Sequence, residues 1–242
     1  MNLFSCFAFL LLFLYPCNGC TKICAAPRNV SFHVKWVRER YIEKLKQTLS
    51  PRQAMAAAFF VDVPLSFDSV VATYYYTEGA ASYRIMRKGD SVAFCCPAIF
   101  DGPPDSTYPP QWLSFADNGN KMIWDNDTFT RFERGHNYPE DILLKGAYDC
   151  RGRQVTFASD GTVTGLGDFR FYEVENVFVG PGAVDSAETM YMSRNGKEQV
   201  PFGFLVSGDT LRIYSVRVPE EKEDNEDLHI SSLQYLLVKR HR

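Results

Sequence analysis

The residues that usually carry catalysis or bind metals are scarce and poorly spaced in this chain of 242 residues. Its four histidines lie far apart, and no pair shows a metal-ligand spacing such as His-x-x-x-His. No Gly-x-Ser-x-Gly sequence is present, so a serine-hydrolase turn would lack its nucleophile. The glycine pairs at 165–167 and 180–182 lack the Lys-Ser/Thr of a phosphate-binding loop. We therefore expect turns at these glycines, and no metal, cofactor or catalytic residue.

Two carboxylates beside a tryptophan form the most suggestive polar group. Asp125 and Asp127 follow Trp124 directly. Carboxylates next to an aromatic ring can bind sugars or cations, and a carboxylate pair is also what glycosidases use. The simpler interpretation is an exposed turn in an aromatic-rich sheet, and we prefer it.

Aromatic side chains are abundant, with 13 Tyr and 19 Phe in the chain. In a small β-barrel such side chains either fill the interior or line a cavity for one apolar ligand. A filled core is the simpler of the two interpretations. The residues that would line a cavity are Phe157, Phe169, Phe171, Tyr172, Phe204 and Tyr214.

The first 19 residues predict export from the cytoplasm. They carry no charged side chain, and residues 7–15 form an unbroken apolar run. That run has the length of a signal-peptide core and about half the length of a membrane-spanning helix. Small residues stand one and three places before the bond between Gly19 and Cys20, as signal peptidase requires. We interpret residues 1–19 as a signal peptide and residues 20–33 as a tether.

The Gly19-Cys20 junction also resembles the lipobox of bacterial lipoproteins, in which the cysteine after the cleavage site is diacylated. The resemblance implies that Cys20 is a lipid anchor that holds the protein on a membrane of the cell envelope. Cys17 departs from this pattern, because an aliphatic residue usually stands at its position. Plain secretion and an uncleaved membrane anchor are the alternatives.

The remaining cysteines are compatible with an exported protein. Of seven cysteines, Cys24, Cys95, Cys96 and Cys150 remain after the signal and Cys20 are set aside. This even number allows two disulfides with three connectivities. Adjacent Cys95 and Cys96 would point to opposite faces of a strand, so we do not expect them to pair with each other. Buried free thiols are the alternative.

The charge distribution argues against a nucleic-acid partner. The formal net charge is −3, and residues 220–227 alone hold six carboxylates and one lysine, which is −5. The rest of the chain is therefore close to +2 and lacks the dense basic patch that nucleic acids require.

The chain divides into a helical segment at 34–62 and a β domain at 68–242. Apolar residues at helical spacing within 34–49 predict a helix, and Ser50-Pro51 predicts the start of a second one. Five prolines within 97–110 predict a loop. The predicted strands are residues 68–76, 82–87, 91–96, two or three strands within 112–132, 155–157, 162–164, 169–174, 189–193, 201–206, 210–218 and 230–239.

Strands about ten residues apart with glycine-bearing turns predict an antiparallel meander, and such sheets remove their edges by closing into barrels. Two sequence echoes accompany this pattern. Residues 113–119 are similar to 155–161, and residues 89–92 are similar to 208–211. Either internal duplication or the ordinary sequence preferences of hairpins would explain them.

Residues 143–240 resemble the lipocalin-like module of bacterial envelope lipoproteins. The segments that carry the resemblance are Val155-Thr156-Phe157, Asp160-Gly161-Thr162-Val163-Thr164-Gly165, Tyr172-Glu173-Val174, Gly208-Asp209-Thr210-Leu211-Arg212-Ile213-Tyr214 and Tyr235-Leu236-Leu237-Val238-Lys239-Arg240. The resemblance implies a lipocalin-like barrel and brings no catalytic residue with it.

The sequence therefore predicts a mostly β protein with short amino-terminal helices. Three hypotheses for its function are compatible with these observations. The first is a non-catalytic envelope lipoprotein that binds a small apolar ligand or only presents a surface. The second is a cell-surface interaction or scaffold protein that uses the 97–110 and 220–227 loops. The third is an exported hydrolase. The expected contact is with a membrane through the lipid anchor, and a protein partner is left unspecified.

Overall fold

The structure is a computed structural model that describes residues 34–63, 69–74, 80–99, 102–132, 138–175, 184–217 and 228–241. The predicted signal peptide, the tether with Cys20 and Cys24, and the acidic segment 220–227 lie outside these residues. Within them the fold is mostly β, with antiparallel sheets and a few short helices. This confirms the predicted fold class.

The first sheet is a meander within residues 35–132. Its strands are β1 (Lys35–Arg38), β2 (Phe59–Asp62), β3 (Ser69–Tyr74), β4 (Ala80–Lys88), β5 (Ser91–Ile99), β6 (Gln111–Trp112), β7 (Ser114–Ala116), β8 (Lys121–Trp124) and β9 (Asp127–Phe132). Their order across the sheet is β6-β5-β4-β3-β2-β1-β9-β8-β7. The outermost strands β6 and β7 follow each other across Leu113, whose amide donates to the Val92 carbonyl at 2.9 Å. The two ends of this sheet therefore meet.

The second sheet is a nearly closed barrel formed by the carboxyl-terminal half. Its strands are β10 (Gly146–Cys150), β11 (Arg153–Phe157), β12 (Val163–Thr164), β13 (Phe171–Val174), β14 (Val184–Asp185), β15 (Glu188–Ser193), β16 (Gln199–Ser207), β17 (Thr210–Arg217) and β18 (Leu228–Lys239). The order is β12-β11-β10-β18-β17-β16-β15-β13, and β14 runs parallel to β18. A bridge between Thr162 and Phe171 joins the two end strands, so little edge remains open.

The two sequence echoes fall on hairpins that are not equivalent. Gly89-Asp90 turns between the fourth and fifth strands of the first sheet. Gly208-Asp209 turns between β16 and β17, the seventh and eighth strands of the second sheet in chain order. Residues 113–119 and 155–161 also lie at different places in the two meanders. Hairpin preferences explain these echoes, because a duplication in register would place them on matching hairpins.

Three helices accompany the sheets: α1 (Glu39–Thr48), α2 (Pro51–Ala54), which continues as a 3-10 turn, and α3 (Tyr138–Leu143). Ser50 caps α2, because its Oγ accepts a hydrogen bond from the Gln53 amide at 3.1 Å. The predicted helical segment 34–62 differs from the structure at both ends, where β1 and β2 pair with each other and belong to the first sheet. Strands of four residues show too little alternation to be recognised, and distant β9 stabilises β1.

Of the three buried apolar clusters among the described residues, the two largest hold the fold together. The first fills the first sheet and includes Trp36 and Phe94. The second fills the barrel and also contains Tyr41 and Leu45 of α1. The amphipathic helix α1 therefore packs its apolar side chains into the barrel core.

Candidate functional site

Four of the six aromatic residues predicted to line a cavity instead pack inside the barrel that the second sheet forms. Phe157 is 1% exposed and Phe204 is 0% exposed, while Phe169 and Tyr172 are also buried. The rings of Phe157 and Tyr172 pack edge to face with their centroids 5.0 Å apart. A ligand-sized cavity would leave accessible surface on these rings, so they form a packed core.

Phe171 and Tyr214 do not share that interior, and their prediction as lining residues is wrong. Phe171 is 42% exposed, because its neighbour Tyr172 points inward and adjacent residues of a strand point to opposite faces. Tyr214 follows the buried Ile213 and lies on the outer face of β17 for the same reason.

The carboxylates beside Trp124 form a turn and an ion pair, as the preferred interpretation predicts. Asp125 adopts a positive φ of 49° in the two-residue loop that joins β8 to β9. Asp127 accepts a hydrogen bond from Nη2 of Arg38 at 2.6 Å. Trp124 is buried and donates through Nε1 to Gln111. Asp125 and Asp127 line one cleft of about 420 Å³, but Trp124 is buried and is not part of its lining, so the predicted combination of ring and carboxylates does not form.

Cys95, Cys96 and Cys150 are free thiols, and Cys24 lies outside the described residues. Cys96 has a positive φ of 52° near a register shift between β4 and β5. This irregularity changes the alternation expected for an extended strand. Burial, and after it the influence of the neighbouring Cys96 thiol, raises the pKa of the Cys95 thiol. A raised pKa keeps this thiol protonated and unreactive.

A buried carboxylate joins the helices to the barrel. Glu188 on β15 accepts hydrogen bonds from the Ser50 hydroxyl and from the Arg52 amide, the latter at 3.2 Å. Burial raises the pKa of Glu188, and the Ser50 hydrogen bond opposes that rise. A cleft of about 320 Å³ lies beside them. The Ser50 hydroxyl already caps α2, so its hydrogen bonds serve structure.

A second buried carboxyl lies on α3. Oε1 of Glu140 accepts a hydrogen bond from the Val174 amide at 2.7 Å, and Oε2 has no hydrogen-bond partner among the described residues. Burial raises the pKa of Glu140 to about 7. Within the ranges that the structure describes, no group of three or more His, Cys, Asp or Glu side chains could hold a metal ion.

The proline-rich loop is partly ordered by its own side chains. Oδ1 of Asp105 accepts hydrogen bonds from the Thr107 amide at 2.9 Å and from the Thr107 hydroxyl at 2.6 Å. The Asp105 amide donates to the Pro97 carbonyl at 2.9 Å. Residues 102–110 contain no helix or strand, which agrees with the predicted loop, although β5 extends beyond residue 97.

Among the described residues, the largest set of exposed apolar side chains lies on the outside of the barrel. Leu233 is 49% exposed, Leu236 is 47% exposed, and Val238, Ile230 and Leu205 are also exposed. They lie on β16 and β18, the two strands that flank β17. We call this surface the β18 face, and its residues are Leu205, Arg212, Tyr214, Ile230, Leu233, Leu236 and Val238.

Two irregularities in the ladder create the β18 face. Leu236 lies opposite Arg212, Leu233 opposite Tyr214, and Ile230 opposite Val216. From Ile213 to Arg217 the strand β17 advances four residues, while β18 advances six, from Tyr235 to His229. These extra residues are β-bulges, and they let leucines three positions apart point to the same side. Regular alternation would have buried one of them.

The sequence contained only part of this signal. The sequence of β18 contains more apolar residues than a strand with one buried face needs. The bulges that turn these side chains outward depend on the pairing of β18 with β17, which the sequence does not show.

Comparisons with known proteins found no relative of this chain. No family model matches the chain, and neither the curated proteins nor the solved structures contain a match. Within the part of the chain that the structure describes, no helix is both long enough and apolar enough to span a membrane.

Proposed function

We propose that this chain is an exported, lipid-anchored, non-catalytic protein of the cell envelope that acts as an interaction protein through its β18 face. The observation that carries the proposal is the exposure of Leu233, Leu236 and Val238 side by side on one sheet surface. Contiguous apolar surface on a folded protein marks contact sites, because covering it releases water.

Export and anchoring form the second part of the proposal. They rest on the apolar run at residues 7–15 and on Cys20 directly after Gly19. One acyl chain binds a membrane only weakly, so a diacylated Cys20 would provide the stable attachment that a cell-envelope protein needs. The nearly closed antiparallel barrel of residues 146–239 supports the resemblance to a lipocalin-like module, and membership of that family belongs to the proposal.

The packed interior weighs against the apolar-ligand hypothesis. Phe157 and Phe204 have almost no accessible surface, so a ligand would have to displace the core that stabilises the barrel. For the hydrolase hypothesis, the carboxylates that share a cleft are Glu39, Glu43, Asp125 and Asp127. Of these, Asp127 and Glu39 are already ion-paired with Arg38 and Lys121, which favours a structural role. Glu140 and Glu188 are buried separately, on α3 and β15.

Cross-linking in intact producing cells tests the interaction. The protein is compared with a variant that combines Leu233→Ser with Leu236→Ser, and with the control Ile123→Ser, which removes a side chain 39% exposed on the first sheet. We expect the double variant to lose most of the cross-linked product and the control to retain it. Equal recovery from all three proteins would contradict the proposal.

Two further measurements separate the parts of the proposal. Intact-mass analysis should show a diacyl adduct on Cys20, and Cys20→Ser should move the protein from the membrane to the soluble fraction. Fluorescent fatty acids should not be retained by the purified protein. Saturable retention would favour the apolar-ligand hypothesis.

A further inference from the structure

We infer that Asn126 is an N-glycosylation site, at which an oligosaccharide is joined to the side-chain amide while the chain is exported. This inference goes beyond the interaction role and rests on the export part of the proposed function. Residues 126–128 read Asn-Asp-Thr, which is the acceptor pattern Asn-x-Ser/Thr with a residue other than proline in the middle. So short a pattern also arises by chance, and only an accessible acceptor can be modified.

Asn126 lies at the tip of the hairpin that joins β8 to β9. The ladder ends at the pair of Trp124 and Asp127, so Asp125 and Asn126 form a two-residue turn. Asn126 is exposed, whereas Trp124 directly before the turn is buried in the core of the first sheet. An oligosaccharide on Asn126 would therefore extend into solvent and leave that core undisturbed.

The backbone at Asn126 has a conformation that favours glycine. Asp125 and Asn126 have φ values of 49° and 63°, and a type I′ turn requires positive values at both of its central residues. Glycine is preferred at the second of them, because it has no Cβ. Asparagine tolerates this conformation better than most residues do. The turn can therefore form with asparagine but does not need its side chain.

The Asn126 amide is also not used to hold the fold together. Within the part of the chain that the structure describes, no group hydrogen-bonds to the Asn126 side chain. Its neighbour Asp127 differs, because that carboxylate accepts a hydrogen bond from Nη2 of Arg38 at 2.6 Å. The ion pair fixes the start of β9 and leaves the amide at the tip accessible.

A cleft beside the turn leaves room for the first sugar. Its volume is about 420 Å³, and it is lined by Glu39, Arg40 and Glu43 of α1 and by residues 125–128. Carboxylates and a guanidinium group are hydrogen-bonding partners for sugar hydroxyls. Asn126 and Thr128 both line this cleft, so the two residues that define the acceptor pattern are open to the same side.

The attachment is a group transfer from a lipid-linked donor, catalysed by a transferase of the export pathway. The side-chain nitrogen of Asn126 forms a bond to the anomeric carbon of the first sugar. The bond from that carbon to the pyrophosphate of the lipid donor breaks, and the lipid pyrophosphate leaves with the electron pair. The amide gives up one of its two protons to water.

Peptide mass spectrometry of the full-length protein from the cells that produce it tests the inference. Trypsin isolates residues 122–131 from the second acceptor pattern, which lies on the peptide of residues 29–35. We expect an oligosaccharide on Asn126 in the wild type. Removal by an amide-cleaving glycosidase should leave aspartate at position 126, a change that the peptide mass reports.

Three variants provide the matched controls. Thr128→Ala should lose the oligosaccharide, whereas Thr128→Ser keeps a hydroxyl and should retain it. Asn126→Gly should also lose it and should still fold, because Asp-Gly is a preferred type I′ turn sequence. An unmodified Asn126 in the exported wild type would overturn the inference. So would an oligosaccharide on residues 122–131 that persists unchanged in Asn126→Gly.

The amino terminus of the same protein separates failure of the inference from failure of the proposed function. If the mature chain begins at Cys20 and Asn126 is unmodified, export stands and the inference alone fails. If residues 1–19 are retained and Asn126 is unmodified, both fail. An oligosaccharide on Asn126 in a chain that retains residues 1–19 would support the inference and contradict cleavage after Gly19.

Discussion

The hydroxyl of Ser50 donates a hydrogen bond to the buried carboxylate of Glu188, which lies 138 positions later in the chain. The same hydroxyl accepts a hydrogen bond from the Gln53 amide and so caps α2. One side chain therefore starts a helix and fixes that helix to β15. The helices α1 and α2 lie between β1 and β2 of the first sheet in the chain. This contact fixes them to the barrel that the second sheet forms.

Ser50→Ala should destabilise the protein by about 2 to 3 kcal/mol, because it removes a helix cap and leaves Glu188 without its hydroxyl donor. Urea unfolding followed by tryptophan fluorescence measures the loss. Ser50→Thr is the control: its hydroxyl can still cap α2 and donate to Glu188, so its loss should be smaller. A Ser50→Ala variant within about 0.5 kcal/mol of the wild type would contradict this account.

Phe204→Ala and Phe171→Ala compare the inner and outer faces of the barrel. Phe204 is completely buried, so its truncation leaves a cavity and should cost about 3 to 5 kcal/mol. Phe171 is 42% exposed, and its truncation should cost about 1 kcal/mol or less. Chemical denaturation of both variants checks the order, and equal losses would show that Phe171 is packed inside.

Glu140 should make stability decrease as the pH rises. Its pKa of about 7 in the folded protein lies above the ordinary value of 4.5, so the folded state binds the proton more tightly than the unfolded state. Its contribution is most favourable below about pH 4.5, falls between pH 4.5 and 7, and is constant above pH 7.

The pKa difference of Glu140 corresponds to about 3 kcal/mol between the two ends of that pH range. Glu140→Gln keeps an acceptor for the Val174 amide and cannot ionise, so the variant should gain stability relative to the wild type as the pH rises from 4.5 to 7. Urea unfolding at several pH values measures the difference between the two proteins. A difference that does not change with pH would contradict the assignment.

Gly165 and Gly152 form a matched pair, because both have a φ of +80°. A Cβ at Gly165 would lie 2.1 Å from the Gln154 carbonyl oxygen, whereas a Cβ at Gly152 meets nothing within 4 Å. Gly152→Ala should therefore cost only the left-handed strain of about 1 to 2 kcal/mol. Gly165→Ala should cost several kcal/mol more, because the backbone of β11 must move. Thermal unfolding of the two variants tests the difference, which should disappear if the strand contact is absent.

Local patterns predicted much of the fold. The hairpin from Val155 to Thr164, the turns at Gly89 and Gly208, and the helix at 39–48 are encoded by residues close together in the chain. Alternation, glycine turns and helical spacing are short-range signals, so one sequence suffices to read them. The high aromatic content predicted that the barrel interior would be apolar. It did not decide whether the aromatic side chains would form a packed core or line a cavity.

The amino-acid sequence by itself determined a mostly β chain with short helices, the candidate export signal, and the scarcity of catalytic groups. Only the tertiary structure decided that β1 pairs with β9 and that Glu188 accepts a hydrogen bond from Ser50. It also decided that Leu233 and Leu236 share the outer face of β18. The first two of these contacts join residues distant in the chain. The bulges that place Leu233 and Leu236 on one face form only where β18 pairs with β17. Such pairings arise from three-dimensional register, which local residue patterns do not specify.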